Sequence, residues 1–197
     1  MDRFQNTKLP DWDWWGKLWP APGETLRDLG VESGTTLAEV GSGDGYFALP
    51  AARITDPATV YAIDLDSEVL EELALLADQH RIENVETVEG DARSLARNLP
   101  EKVDTVLIAN TFHGVDDIPG FVSEVYEALR PGGEFIIVNW YDRPREETPI
   151  AGSPRGPPTD LRMTPEETES AVLGASAFSL ARRVELPPHH YALVFER

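Results

Sequence analysis

Thr36-Leu-Ala-Glu-Val-Gly-Ser-Gly-Asp-Gly-Tyr46 decides the fold. Leu37, Ala38 and Val40 read as the end of a buried strand, Gly41, Gly43 and Gly45 as a turn, and residues 46–54 as the helix that follows. Glycines spaced by two let the chain take positive φ and leave no Cβ between the main chain and a ligand lying across it. The turn therefore reads as a cradle for something flat or extended.

The details of the turn narrow the ligand. A dinucleotide fingerprint, Gly-x-Gly-x-x-Gly, needs glycine at position 46, where Tyr46 stands. A phosphate-cradling P-loop ends in Gly-Lys-Ser/Thr, and no lysine occurs between Lys17 and Lys102. What remains is Gly-x-Gly-x-Gly with an acid, Glu39, two residues before it. This resembles motif I of the class I S-adenosylmethionine-dependent methyltransferases. The resemblance implies that Glu39, Gly41, Ser42 and Gly43 bind the amino-acid part of S-adenosylmethionine, and that an acid ending the next strand binds the ribose hydroxyls. Asp64, closing Val60-Tyr-Ala-Ile63 and followed by Leu65, stands at that place. Gly90-Asp91-Ala92 resembles the segment whose acid binds the adenine amine; a plain surface-turn acid is the alternative for Asp91.

Composition sets bounds around this reading. At 197 residues the chain is most simply one domain with a real core. It carries 35 acids against 17 bases, a formal charge of -18, and three of its bases are lysine: Lys8, Lys17 and Lys102. Such a surface repels nucleic-acid phosphates, and no basic patch offsets it. Acid excess with arginine preferred over lysine also looks like adaptation to a salty cytoplasm, where screening removes most of the self-repulsion; an acidic mesophile protein is the alternative. There is no cysteine, so no disulfide and no thiolate metal site. No apolar run reaches the ~18 residues of a membrane span, and no signal-peptide core opens the chain, so a cytoplasmic protein is expected.

Upstream of the turn, Pro10-Asp-Trp-Asp-Trp-Trp-Gly-Lys-Leu-Trp-Pro20 holds four of the five tryptophans. Each such ring buries about 150–250 Å² when it packs, so this arm must fold onto something. It either fills a groove on the body or lids an acceptor pocket, with Trp14, Trp15 and Trp19 as the candidate wall. Residues 22–30 read as a short helix. Downstream, Pro50 makes the helix at 46–54 start late or bend. Asp66 or Ser67 caps a helix running to about His80, residues 85–88 form a third strand, and 103–109 form a central strand apolar on both faces. Residues 118–129 are the next helix, Leu129-Arg-Pro-Gly-Gly133 its stop, and 134–138 the fifth strand.

The prolines at 144, 149, 154, 157 and 158 mark residues 140–163 as a long loop without periodicity, read as a second wall of the acceptor pocket. Trp140, Tyr141, Arg143, Arg155 and Arg162 are its candidate contacts. Thr164-Pro-Glu-Glu167 is a capping box, and residues 178–186 and 191–195 make a hairpin around Pro187-Pro-His-His190. His189 is a pocket candidate, with an exposed turn as the alternative. The family resemblance implies an α/β, Rossmann-like three-layer sandwich whose seven-stranded, mostly parallel sheet ends in an antiparallel strand. Residues 1–30 are read as arm and cap, and residues 31–197 as the methyltransferase domain.

Asn110-Thr-Phe-His113 ends the central strand on the ligand side of the sheet. It is similar to the asparagine-to-histidine segment of quinone-biosynthesis-type small-molecule methyltransferases. It departs from the Asn/Asp-Pro-Pro-Tyr/Phe motif of enzymes that methylate exocyclic amines. Asn110 is accordingly a cofactor candidate and His113 the candidate base or orienting group; a histidine packed near adenine is the alternative. A metal held by two histidines with Asp116 or Asp117 is conceivable, but nothing in the spacing calls for one. The expectation is a methyltransferase for a small aromatic or hydrophobic acceptor, monomeric or homodimeric. A protein or RNA methyltransferase, and a regulator or inactive homologue that only binds S-adenosylmethionine, are the competing readings.

Overall fold

A computed structural model describes residues 3–5, 9–10 and 12–197, with Trp12 described by its backbone alone. Lys8 and Asp11, both named in the sequence reading, lie outside these residues. In chain order the elements begin with helices α1 (Trp12–Leu18) and α2 (Pro22–Asp28) and strand β1 (Leu37–Val40). Helix α3 (Ala48–Thr55), β2 (Val60–Asp64), α4 (Ser67–Gln79), β3 (Val85–Glu89) and the short α5 (Leu95–Asn98) follow. Next come β4 (Val103–Ala109), α6 (Ile118–Ala128) and β5 (Leu129–Trp140). A two-stranded hairpin of β6 (Pro149–Ile150) and β7 (Ser153–Pro154), then α7 (Pro165–Ala175), β8 (Ser179–Leu186) and β9 (His190–Glu196), complete the described chain.

The seven-stranded sheet runs β3-β2-β1-β4-β5-β9-β8. Strands β1 to β5 are mutually parallel, and β9 is antiparallel to both of its neighbours. Because successive strand residues point to opposite faces, the sheet divides two cores. Leu37, Leu107, Ile136 and Val194 face α1 to α4, while Ala38, Ile108, Ile137 and Leu193 face α5 to α7. The result is an α/β three-layer sandwich. Strand order reverses between β1 and β4, and ligands of such sheets collect beyond the strand ends at that switch point.

Local signals act as expected at most boundaries. Asp66 caps α4 by accepting from the Glu68 amide, and Thr164 and Glu167 form both halves of a capping box on α7. Pro50 falls at the third residue of α3, which starts at Ala48 rather than 46, so its missing N–H removes no helical bond.

Two expectations need correction. Leu129-Arg-Pro-Gly-Gly133 is not simply a stop before a strand at 134. Leu129 already pairs with Val103, and the ladder resumes at Thr105 with Glu134 after a bulge. Residues 140–163 are not structureless either. They hold the β6–β7 hairpin, organised around buried Arg162, whose guanidinium donates to the carbonyls of Pro157, Arg143 and Arg155 and to Thr148 Oγ1. A segment gathered around one side chain near its end leaves no local sequence signal.

Candidate cofactor and acceptor site

A cavity of about 460 Å³ opens at the switch point, beyond the carboxyl ends of β1, β2 and β4. Its floor is the glycine turn, where Gly41, Gly43 and Gly45 have φ of +71°, +54° and +92°. A Cβ on Gly41 would lie 3.1 Å from Thr111 Oγ1, so the turn is both left-handed and tightly seated. The turn hangs from β2: Gly41 and Ser42 amides donate to the Ile63 carbonyl at 2.8 and 3.0 Å. Asp64 completes the tie, accepting from Gly43 N at 3.0 Å and from Asp66 N at 3.1 Å.

Every residue expected to bind the cofactor lines this cavity: Glu39, Gly41, Ser42, Gly43, Asp64, Leu65, Asp91, Ala92 and Asn110. Asp91 caps the turn that follows it by accepting from Arg93 N at 2.9 Å, and its carboxylate also faces the Arg93 guanidinium. Asn110 holds a positive φ of +58°, and neither atom of its buried amide has a hydrogen-bond partner. Ser42 Oγ is also buried without one. Buried polar groups are normally paired, and strained ones collect at ligand sites, so these groups fit a polar ligand.

The acceptor candidates divide. His113, Trp14, Trp15, Trp140 and Arg155 line the cavity; Trp19, Tyr141 and His189 do not. Trp19 packs instead against Phe47 and His190, and its carbonyl accepts from Tyr46 Oη at 2.6 Å. Tyr141 lies against Tyr191, and Arg143 over Tyr141. His189 is buried rather than on an exposed turn, stacked on Trp140, and burial holds its pKa below the usual histidine value. His190, also read as part of the turn, begins β9 wholly buried between Trp19 and Trp140. Burial first, then His189, Arg162 and His113, push His190 well below the usual range, so it is neutral at physiological pH. Among the described residues no group of three potential metal ligands comes together.

Several further lining residues, Val69 and Arg93 among them, were not singled out for the site by the sequence. Arg3, Phe4, Leu9 and Pro10 reach the cavity from ahead of the tryptophans. Gln5 N donates to Gly114 O at 3.0 Å, Phe4 packs edge-on to Phe121, Arg3 pairs with Asp66, and Leu9 sits over Gly43. Few in number and without periodicity, these positions carry no pattern to read. Arg145 also lines the cavity and was passed over for its neighbours in the proline-rich segment.

Glu39 carries an electrostatic consequence. It is buried at the end of β1, with one carboxylate oxygen lacking a partner. Desolvation, then the charges of Asp64 and Asp44, raise its pKa well above the ordinary glutamate value. The folded state thus binds a proton that the unfolded state gives up, and stability declines as pH rises from the ordinary glutamate range through the raised folded value. Glu39→Gln is expected to flatten that decline and raise the cofactor-free thermal midpoint at neutral pH. Thermal scans of both proteins from about pH 5 to about pH 8 test it, and parallel curves would sink it.

Comparison with known proteins settles the family. The model of a family described as a methyltransferase domain matches residues 38–137, from β1 through most of β5. The chain belongs to the class I S-adenosylmethionine-dependent methyltransferases. It is 35% identical over 134 residues to a fatty-acid O-methyltransferase of Mycolicibacterium smegmatis, covering 66% of this chain and 47% of that protein. It is 34% identical over 110 residues to a phthiotriol/phenolphthiotriol dimycocerosates methyltransferase of Mycobacterium leprae, covering 54% of this chain and 38% of that one. The chain thus spans less than half the length of these relatives. A SAM-dependent methyltransferase from Aquifex aeolicus shares the fold, with a TM-score of 0.76, 22% identity and coverage of 89% and 88% of the two chains.

For this methyltransferase chain the family implies S-adenosylmethionine as cofactor, and the residues present suit it. The bare turn, the Asp64 carboxylate with lone pairs to spare, and the unpartnered Ser42 and Asn110 groups are the kinds of donor and acceptor that an adenosyl amino acid needs. The acids at this end also suit its positive charges.

Proposed function

We propose that this chain transfers the methyl group of S-adenosylmethionine to a small acceptor with a hydrophobic body. One observation carries the reading: the cavity joins an acid-lined glycine floor to a wall of Trp14, Trp15 and Trp140. A partly enclosed space of this volume suits small molecules. The names of the matched relatives favour a lipid-like over an aromatic acceptor. The strong acid excess argues against an RNA substrate.

S-Adenosylmethionine supplies, when bound, a methyl group already activated by its sulfonium. The protein's task is then alignment and exclusion of water. Asp64 and Asp91 hold the nucleoside from the β2 and β3 tips, and Asn110 and Ser42 add polar contacts. The tryptophan wall, with Phe4, Leu9 and Pro10 beside it, keeps the site dry. His113, buried at the end of the segment after β4, orients the acceptor and takes a proton where the acceptor is a hydroxyl.

Calorimetry with S-adenosylmethionine and S-adenosylhomocysteine, followed by transfer of labelled methyl to a panel of hydrophobic acids and alcohols, tests the proposal. Binding and transfer are expected. No binding by folded protein defeats it, and binding without transfer to any acceptor favours a regulator.

A further inference from the structure

The two ends of the cavity differ in charge. Acids crowd the glycine end, whereas the far end presents the guanidinium groups of Arg145 and Arg155, both on the segment that follows β5. Of the arginines lining the cavity, Arg3 and Arg93 at the acidic end are paired with Asp66 and with Asp91 and Asp116. Arg145 and Arg155 form no ion pair among the described residues, although Glu146, Glu147 and Asp160 lie on the same segment.

Both cations are held in place by other means. The Arg155 guanidinium lies over the Trp14 ring, 5.2 Å from its centroid, and its Nε is buried with no hydrogen-bond partner. Arg155's own carbonyl is fixed by Arg162 and by Thr148 Oγ1, at 3.0 and 2.9 Å. Arg145 donates Nε–H to the carbonyl of Gly156, the residue next to Arg155. A buried donor left unpaired is costly unless a ligand meets it. The planar guanidinium fork is matched to a carboxylate, which can accept from it twice.

We infer that the acceptor is a hydrophobic anion, whose acid group Arg155 binds with Arg145 beside it while its apolar body lies against Trp14 and Trp140. The inference rests on the acceptor site proposed above. It makes Arg155 a specificity-determining residue, because its buried Nε–H is the donor that lacks a partner, whereas the Nε–H of Arg145 is already given to the Gly156 carbonyl.

The test is titration of the S-adenosylhomocysteine complex with matched pairs, octanoate against 1-octanol and 4-phenylbutyrate against 4-phenylbutanol. Each acid is expected to bind roughly 10- to 100-fold more tightly than its alcohol, Arg155→Met to remove that preference, and Arg155→Lys to restore part of it. The side chain, not the clamped carbonyl, is changed, and thermal unfolding checks that each variant is folded. Cofactor affinity should be the same in all three proteins. If no acid outbinds its alcohol, or if Arg155→Met weakens S-adenosylhomocysteine as much as the acid, the inference falls; in the second case Arg155 serves the cofactor. Failure of the parent protein to bind S-adenosylhomocysteine would instead defeat the methyltransferase reading itself.

Discussion

Asp64→Ala is expected to weaken S-adenosylhomocysteine binding by roughly 100-fold or more, the loss of two hydrogen bonds to a charged group. The carboxylate does two jobs. It pins the glycine turn to the tip of β2 through the Gly43 and Asp66 amides, and its remaining lone pairs face the cavity. Alanine removes both, loosening the floor and, on the proposed function, leaving the ribose hydroxyls of the cofactor without acceptors. Asp64→Asn keeps the shape and part of the hydrogen bonding, so it should fall between parent and alanine. Calorimetric titration of the three proteins checks the ranking. Affinity in the alanine variant close to that of the parent would mean that Asp64 only supports the turn and does not touch the ligand.

A second large effect is expected at Trp140. This residue ends β5 with 2% of its surface exposed, its ring 4.1 Å from that of His190 and stacked on His189. The Arg162 guanidinium lies 5.2 Å above it, and a Cβ on Gly156 would come within 2.9 Å of the ring. Trp140 is thus the post on which the 140–163 segment rests. Truncation to alanine is expected to cost about 3–5 kcal/mol. For a chain of this size that lowers the thermal midpoint by about 6–20 °C. Because the same ring walls the cavity, acceptor binding should weaken more than cofactor binding. Differential scanning calorimetry reads the first effect, and a midpoint within about 2 °C of the parent would contradict the buried-post account.

The interaction range of each feature decides how much of it could be read from the sequence. The glycine turn, the acids at 64 and 91, the α4 and α7 caps and the C-terminal hairpin are each made by residues within a few positions of one another. Their backbone requirements are written locally, in glycine spacing, capping side chains and two-residue alternation. The acceptor side was read only in part. Trp14, Trp15, Trp140 and Arg155 were found by residue type, yet type alone does not tell a ring that faces the cavity from one that faces the core. Trp14 and Trp19 are chemically identical, and they differ in what surrounds them: Trp14 lies under Arg155 at the cavity wall, Trp19 against Phe47 and His190.

What the sequence determined by itself is the succession of strands and helices and the glycine turn with its neighbouring acids, because periodicity and the need for glycine are written locally. The make-up of the sheet followed from the family resemblance, and the strand order and switch point from the tertiary structure. Only the tertiary structure decided the other half of the cavity. Arg162 gathers carbonyls from two places, Arg143 and the stretch from Arg155 to Pro157, His189 and His190 are drawn inward against Trp140, and Gln5 and Leu9 reach Gly114 and Gly43. Most of those contacts join positions well separated along the chain, and such closure is set by packing and burial rather than by any local preference of the backbone.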